Sequence, residues 1–249
     1  TIDWWKRHRQ YELQLSAVIT YPGTKIYRDA CQKGIIPDPV QYIKDGCPLV
    51  RLSKMTDDEY AWVFQQIASL PRSTHSQPDN AEVVSINYND ARLDVSGNCV
   101  SCGEKNNWEK TRLFVTETLA CKKCGRKHVS PIPTDVVIRI NKNIDRLIKK
   151  YNKLAMWGIN SYIYSLTAKL EKRSADQIVY IDKSEMRQGL DVSGYAIQST
   201  DVIRDENLKC VIVAVVQYYS GLIEPIRNEF PCVDKLICIS DLLADNFSE

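Results

Sequence analysis

The chain has 249 residues, of which 44% are hydrophobic and 26% charged, enough apolar material for one large domain or two to three small ones. Its 33 basic and 31 acidic side chains give a formal net charge of +2, which excludes recruitment of nucleic acid or of an anionic membrane by overall charge. No apolar run approaches the roughly 20 residues that span a bilayer. Nine cysteines, an odd number, favour reduced thiols, so we expect a cytoplasmic protein without membrane contact.

The first block of the chain, residues 1–72, alternates short helical and extended patterns. Residues 2–9 predict a helix and residues 13–20 an extended run. Thr24 follows a sharp turn and can cap a helix that Gly34 ends. Because the helical pattern is already present at the first residue, which is not Met, we expect the sequence to be a piece of a longer chain.

A second helix is predicted near the end of this block, at residues 57–70. Thr56 supplies its N-cap, and Glu59, three residues later, completes a capping box. The polar residues 71–78 are bounded by prolines and predict a linker to the next block.

Two Cys-x-x-Cys-Gly motifs mark the second block, residues 80–133. Residues 103–120, 18 in all, separate the two cysteine pairs, a spacing typical of four-cysteine zinc sites. Four thiolates leave zinc no open position for water, so the pattern predicts a structural zinc ribbon. A redox pair or two unrelated thiol pairs are the alternative, and His128 is not needed as a ligand. The predicted ligands are Cys99, Cys102, Cys121 and Cys124.

A basic amphipathic helix is predicted at residues 134–150, where it connects the second block to the third. Its basic side chains are expected to form a solvated face, with RNA or lipid contact as the alternative. The apolar positions expected on its buried face are Val137, Ile138, Ile140, Ile144, Leu147 and Ile148, and the basic positions are Arg139, Lys142, Arg146, Lys149 and Lys150.

The third block, residues 151–249, alternates strand and helix patterns. Apolar runs without strict alternation, separated by helical segments, predict a parallel sheet covered on both faces. Right-handed crossovers make this a small doubly wound, Rossmann-like domain, so the expected fold class is α/β. The strand-like runs are residues 153–158, 177–182, 210–215 and 235–239.

A glycine follows the first predicted strand of this block, and an aspartate ends the second. Backbone amides at Gly158, Asn160 and Ser161 could hold a phosphate, and Asp182 could accept a hydrogen bond from a ribose. Asn160 stands where the dinucleotide motif has its second glycine, so a scaffold without a ligand is the alternative. The sequence suggests no catalytic residue, because its three histidines lack partners at a suitable spacing.

Three runs of the first block carry a resemblance to a known family: Tyr21-Pro22-Gly23-Thr24-Lys25-Ile26-Tyr27, Lys33-Gly34-Ile35-Ile36 and Lys54-Met55-Thr56-Asp57-Asp58-Glu59-Tyr60. In this order they resemble a stretch near the C-terminal end of radical S-adenosylmethionine barrels, which implies that residues 1–72 are an α/β remnant of such a barrel with its trailing helices. These motifs are most similar to cobalamin-binding Fe–S oxidoreductases related to the anaerobic magnesium-protoporphyrin ester cyclase. The resemblance implies a parent enzyme that uses a [4Fe–4S] cluster, S-adenosylmethionine and cobalamin. The Cys-x3-Cys-x2-Cys motif is absent from this sequence, so we expect the chain itself to bind none of these cofactors.

In the third block, Asp182 ends a predicted strand, and Gly189, Gly194 and Tyr195 form a Gly-x-x-x-x-Gly-Tyr run. These residues resemble the later part of the pattern in the small Rossmann-like domain of sugar C-methyltransferases and sugar O-acyltransferases, and Asn160 departs from its earlier part. The two resemblances imply an accessory C-terminal region of a radical S-adenosylmethionine enzyme, whose partner is the N-terminal part of its own longer chain. The alternatives are a nucleotide- or sugar-nucleotide-binding module and a zinc-ribbon module for RNA or protein, although nucleic acid is not the expected partner.

Overall fold

The computed structural model describes residues 2–8, 15–115, 118–185, 187–244 and 247, without the side chains of Lys6 and of residues 68–74. Its N-terminal part contains the helices α1 (Ile2–Arg7), α2 (Lys25–Gln32), α3 (Pro39–Lys44) and α4 (Asp57–Thr74). The helices α1, α2 and α4 confirm three predictions, although Arg9, predicted to end the first, lies outside the described residues. Residues 15–20, the described part of the predicted extended run, belong to no sheet, so the described residues of this block contain helices and no strand of the expected α/β barrel remnant.

Side-chain caps begin α2 and α4 as the sequence predicts. Thr24 Oγ1 accepts a hydrogen bond from the N–H of Tyr27 (3.2 Å), and Gly34 follows the helix with φ +70°. Thr56 Oγ1 accepts from the N–H of Glu59 (3.3 Å), and Glu59 Oε2 accepts from the N–H of Thr56 (2.8 Å). Each such cap stabilises its helix by about 1 kcal/mol.

The helix α4 is longer than predicted. It continues to Thr74 and includes Pro71, which was expected to open a linker. Proline removes one backbone N–H, but its φ of about −65° is compatible with a helix. The predicted end of the helix before Pro71 was therefore wrong, and α4 ends at Thr74 instead.

Five short strands and one long helix form the middle of the chain. The strands β1 (Asp79–Asn87), β2 (Arg92–Asn98) and β3 (Lys105–Arg112) make an antiparallel sheet in that order. The strands β4 (Thr118–Ala120) and β5 (Lys127–Val129) make a separate hairpin, and α5 (Thr134–Tyr151) follows. The short strands around the cysteine pairs confirm the predicted organisation.

The helix α5 is present as predicted, but its buried face differs from the prediction. Val136, Ile140, Ile144 and Leu147 are fully buried, at spacings that follow the period of 3.6 residues. Ile138 was expected on this face and is 57% exposed instead. The reason is geometric, because a residue two positions from Val136 is rotated about 200° around the helix axis.

The C-terminal part is built around a four-stranded sheet. Its strands pair in the order β7, β6, β10, β11, all parallel, which confirms the predicted parallel sheet. Every residue of β6, β7 and β10 is buried. The hairpin of β8 and β9 was not predicted. The elements are β6 (Leu154–Trp157), α6 (Ser161–Thr167), β7 (Ile178–Ile181), β8 (Asp191–Val192), β9 (Tyr195–Ala196), α7 (Val202–Asp205), β10 (Cys210–Val213), α8 (Tyr219–Glu229) and β11 (Lys235–Cys238).

Alternate residues of the parallel sheet contribute to two hydrophobic clusters. Leu154 and Met156 pack in a cluster with α5, α6 and the three-stranded sheet, which contributes Leu93. Ala155 and Trp157 pack in the other cluster with α7 and α8. Burying one side chain of leucine size contributes about 1.5–3 kcal/mol. Because one cluster extends across both blocks, the middle of the chain and the parallel sheet share a core.

The N-terminal part is attached to this core through α4, which packs against α6. Gln65 on α4 donates from Nε2 to Tyr164 Oη (2.8 Å) and to the carbonyl oxygen of Asp191 (2.9 Å). Its Oε1 accepts from the N–H of Asp191 (3.0 Å). One amide side chain therefore joins α4 to both α6 and β8.

Candidate metal centre and sheet-edge crevice

Four cysteine sulfurs converge between two hairpin turns of the middle block. The turn between β2 and β3 carries Cys99 and Cys102, and the turn between β4 and β5 carries Cys121 and Cys124. All four Sγ atoms lie within 4.8 Å of one another, with 3.6 Å from Cys99 to Cys124 and 3.7 Å from Cys102 to Cys121. A tetrahedron of Zn–S bonds of about 2.3 Å separates its sulfurs by about 3.8 Å. The cluster that the sequence predicts could therefore hold a metal ion such as zinc.

The two cysteine turns have the same backbone hydrogen bonds. In the first, the N–H of Cys99 donates to the carbonyl oxygen of Glu104 (2.9 Å), and the N–H of Gly103 donates to that of Cys99 (2.9 Å). Gly103 adopts φ +71°, a left-handed conformation that favours glycine. The second turn repeats this pattern from Cys121 to Arg126 (2.8 Å) and from Gly125 to Cys121 (2.9 Å), with φ +74° at Gly125.

Asn106, at the start of β3, supports the second turn from the first hairpin. Its Nδ2 lies 3.5 Å from Cys121 Sγ and donates to the carbonyl oxygen of Glu104 (2.7 Å). Its Oδ1 accepts from the N–H of Lys122 (2.8 Å). The side chain is buried, so these bonds are shielded from water. Asn106, which the sequence analysis did not single out, therefore ties the two hairpins together at the sulfur cluster.

Two cysteines of the cluster, Cys121 and Cys102, have pKa values shifted in opposite directions. Hydrogen bonds from the backbone N–H of Cys124 and from the Asn106 amide, among others, lower the pKa of Cys121 to about 6 although burial opposes the shift. The N–H of Glu104 lowers the pKa of Cys102, but burial and the neighbouring thiols together raise it to about 12. A cation is therefore needed before all the sulfurs can be thiolates at neutral pH.

Lys123 and His128 lie on the second hairpin, and neither belongs to the metal-ligand group. Lys123 was expected to offset thiolate charge, and its Nζ lies 3.3 Å from Glu104 Oε2, so its charge is shared with that carboxylate. His128 is buried on β5 with its ring edge-on to Trp108, at 6.1 Å between centroids. Among the described residues, the metal-ligand group at this place consists of the four cysteines without His128.

The predicted phosphate site lies at the start of α6. Asn160 Oδ1 accepts from the N–H of Ile163 (2.9 Å), and its Nδ2 donates to the carbonyl oxygen of Phe114 (3.0 Å). Ser161 is the first residue of the helix, and Gly158 turns the chain with φ +89°. The structure thus brings these predicted residues together, but the Asn160 side chain caps the helix end where a phosphate was expected.

Asp182, predicted to contact a ribose, directly follows β7 and lies beside this turn. Its carboxylate accepts from the N–H of Ser184 (2.9 Å) and lies 3.4 Å from the N–H of Ile159 and 3.4 Å from Arg187 Nη1. Arg187 Nη1 also donates to the carbonyl oxygen of Ile159. Asp182 is therefore already engaged by the protein, and Arg187 is one of its partners.

A crevice of about 340 Å³ opens at the carboxyl edge of the parallel sheet. It lies where the loop after β6 turns towards α6 on one face and the loop after β10 turns towards α8 on the other, the switch point of a doubly wound sheet. Of its polar residues, Asn160 was predicted from the sequence, whereas Arg187, Gln217 and Tyr218 were not, although they lie in loops that follow predicted strands. The crevice is lined by Val115, Asn160, Arg187, Val215, Val216, Gln217 and Tyr218.

Other residues singled out by the sequence serve packing. Gly194 forms the turn between β8 and β9 with φ +93°, and Tyr195 follows it. Tyr195 Oη donates to the carbonyl oxygen of Arg173 (2.7 Å) and accepts from its N–H (2.8 Å).

On α5, Arg139 lies over the ring of Tyr88 at 3.7 Å and donates to the carbonyl oxygen of Leu243 (3.0 Å). Arg139 is thus engaged within the fold rather than in a solvated basic face.

Comparison of the chain with protein-family models, curated proteins and solved structures finds no match. No helix in the described part of the chain combines the length and the apolarity that crossing a bilayer requires. Function must therefore be inferred from the residues and their geometry.

Proposed function

We propose that the four cysteines bind one zinc ion that has a structural role in a zinc ribbon. The observation that carries this proposal is the convergence of four Sγ atoms within 4.8 Å, on two turns with the same backbone hydrogen bonds. Four thiolates fill a tetrahedral zinc ion, so no position is left for a reacting water. Iron also accepts four thiolates, and the experiment below separates the two metals.

The need for an ion follows from the size of the elements that it joins. The strands β4 and β5 have three residues each. An isolated two-stranded hairpin is at best marginally stable in water. An ion held by both hairpins would couple metal binding to the folding of this part of the chain.

Metal analysis of the untagged protein tests the zinc proposal. Elemental mass spectrometry is expected to find about one zinc per chain and little iron. A chelator is then expected to lower the midpoint of thermal unfolding, and added zinc to restore it. A protein with stoichiometric iron, or one that unfolds at the same temperature with and without metal, would contradict the proposal.

We further propose that this chain is an accessory, non-catalytic region of a radical S-adenosylmethionine enzyme, located in the cytoplasm. The motifs of residues 21–36 and 54–60 support this proposal. A second support is an apolar surface on the same block, where Val18 is 58% and Ile26 43% exposed beside a groove of about 360 Å³. Exposed apolar patches of this kind are typical of interaction surfaces. The radical S-adenosylmethionine barrel is the partner that we propose for it.

Isolation of the protein from its native source tests the accessory role. Peptide mass spectrometry should detect a Cys-x3-Cys-x2-Cys motif in the same polypeptide, and anaerobic iron analysis should find about four iron atoms per chain. In that longer polypeptide, Ile26→Asp is expected to destabilise more than Val84→Asp, its control on β1 with 63% exposure. A polypeptide without the motif, or equal effects of both substitutions there, would refute the accessory role.

A second candidate function is small-molecule binding by the C-terminal part, which we propose to be a Rossmann-like domain. The observation that favours it is the crevice at the switch point of the parallel sheet. This role is compatible with the accessory one, because an appended domain can hold a substrate for its parent enzyme.

A further inference from the structure

Three parts of the chain meet around the crevice at the switch point. The loops after β6 and β10 approach each other beside it, where a Cβ atom on Gly158 would lie 2.7 Å from Val215 Cγ1. Val115, from the segment that follows β3, lines it from the middle block. The same segment is held to the sheet domain by the bond from Asn160 Nδ2 to the Phe114 carbonyl oxygen. The crevice is therefore bordered by the loops after β6 and β10 and by the segment after β3.

One charged side chain lines this crevice among the described residues, and it is Arg187. Its Nη1 is held by the carbonyl oxygen of Ile159 and by the Asp182 carboxylate. Its Nε and Nη2 have no protein acceptor in the described part of the chain, and its side chain is 43% exposed. A guanidinium fixed on one side and open on the other suits bidentate recognition of a phosphate.

An aromatic ring and an amide stand on the opposite loop. Tyr218 is 66% exposed, unusual for a tyrosine in a folded domain, and Gln217 precedes it. An exposed ring offers a stacking surface to a planar ligand group. The volume of about 340 Å³ is near the lower end of the range for ligand pockets, so it suits a mononucleotide better than a dinucleotide.

We propose that this crevice binds a phosphorylated ligand of mononucleotide size, with its phosphate on Arg187 and its planar ring against Tyr218. The inference rests on the proposed small-molecule role of the C-terminal part and names its ligand class. It replaces the phosphate position expected from the sequence, because the start of α6 is capped by Asn160. The phosphate is bound instead by a side chain from the loop after β7.

Ligand-observed NMR with UMP, AMP, uridine and inorganic phosphate tests the proposal. The wild-type protein is expected to bind at least one of the nucleotides, and to bind uridine at least about tenfold more weakly than UMP. Arg187→Gln is expected to weaken nucleotide binding by about tenfold or more. Tyr218→Ala should weaken it by about fivefold and leave the binding of inorganic phosphate unchanged.

Lys183→Gln is the matched control, since it removes the same charge four residues away. Lys183 is 75% exposed and contacts Glu229 at 3.8 Å, so nucleotide binding should change less than about twofold. Tyr218→Ala alters an exposed ring and keeps the test valid should Arg187→Gln fail to fold. Absence of nucleotide binding by the wild type, equal binding of UMP and uridine, or unchanged binding by both variants would overturn the proposal. Equal binding of UMP and uridine, or unchanged binding by both variants, would refute these ligand contacts while leaving small-molecule binding by the C-terminal part intact, so the failure of this proposal is distinguishable from the failure of the proposed role.

Discussion

Gly158 and Val215 meet where the parallel sheet reverses its direction of winding. A Cβ atom on Gly158 would lie 2.7 Å from Val215 Cγ1, closer than side-chain carbons approach, and Gly158 has φ +89°. Two independent constraints therefore exclude a side chain at this position, one from the backbone and one from the neighbouring loop.

Gly158→Ala is consequently expected to destabilise the protein by about 1–3 kcal/mol. Gly221→Ala is the control, because Gly221 lies inside α8 and, apart from its chain neighbours and the backbone of its own helix, no atom lies within 4 Å of its Cβ position. That change should be neutral or stabilise by up to about 1 kcal/mol, since alanine favours a helix. Urea unfolding measures both, and an equal free energy of unfolding for the two variants would argue against the contact.

Cys121→Ser should abolish stoichiometric zinc binding, because Cys121 is one of four converging sulfurs. The zinc content is expected to fall from about one ion per chain to near zero. Cys31→Ser, in the N-terminal part and outside the cluster, should keep its zinc. Elemental analysis of the two purified variants measures the zinc content per chain. Zinc retained by Cys121→Ser would contradict the assignment of Cys121 as a ligand.

Asn106→Ala is expected to weaken zinc binding by about 10–100-fold, as the loss of a hydrogen bond to a ligand commonly does. The side chain lies 3.5 Å from Cys121 Sγ and holds the N–H of Lys122. The neighbouring Asn107 is exposed on the same strand, so Asn107→Ala serves as its control. Competition with a chromophoric chelator gives both affinities, which should differ clearly if Asn106 positions the sulfur.

Zinc binding should depend on pH through Cys121. With a pKa of about 6, this group is mostly thiolate at pH 7 and mostly thiol at pH 5 in the metal-free protein. Binding at pH 5 is thus expected to release about one more proton per ion than binding at pH 7, and zinc affinity should fall as the pH falls. Calorimetry in buffers of different ionisation enthalpy counts the protons. The same proton release at both pH values would disprove the lowered pKa.

The buried face of α5 can be tested with two isoleucines of the same helix. Ile144 is fully buried and Ile138 is 57% exposed. Ile144→Ala is expected to destabilise by about 2–5 kcal/mol, and Ile138→Ala by less than about 0.5 kcal/mol. Chemical denaturation measures the difference. A loss of stability in Ile138→Ala as large as that in Ile144→Ala would show that Ile138 is buried, as the sequence predicted.

Several features of the protein follow from residues that are close together in the chain. The caps at Thr24 and Thr56, the two cysteine turns and the apolar strand runs were all predicted correctly. Their physical causes act within a few positions: a hydroxyl reaches an N–H three residues later, and two cysteines bracket one turn. The parallel direction of the strands also follows, because helical segments separate the runs.

The remaining features depend on which distant segments meet. The continuation of α4 through Pro71 and the contact of Asn106 with Cys121 have no local signal of their own. Likewise, the crevice combines Arg187 and Tyr218, from loops after different strands. The exposure of Ile138, in contrast, follows from the helical period of the residues around it. Local pattern thus determined the elements and the cluster of sulfurs. Tertiary packing decided which residues meet at the sheet edge and beside the sulfurs, because contacts between distant segments arise only when elements pack together.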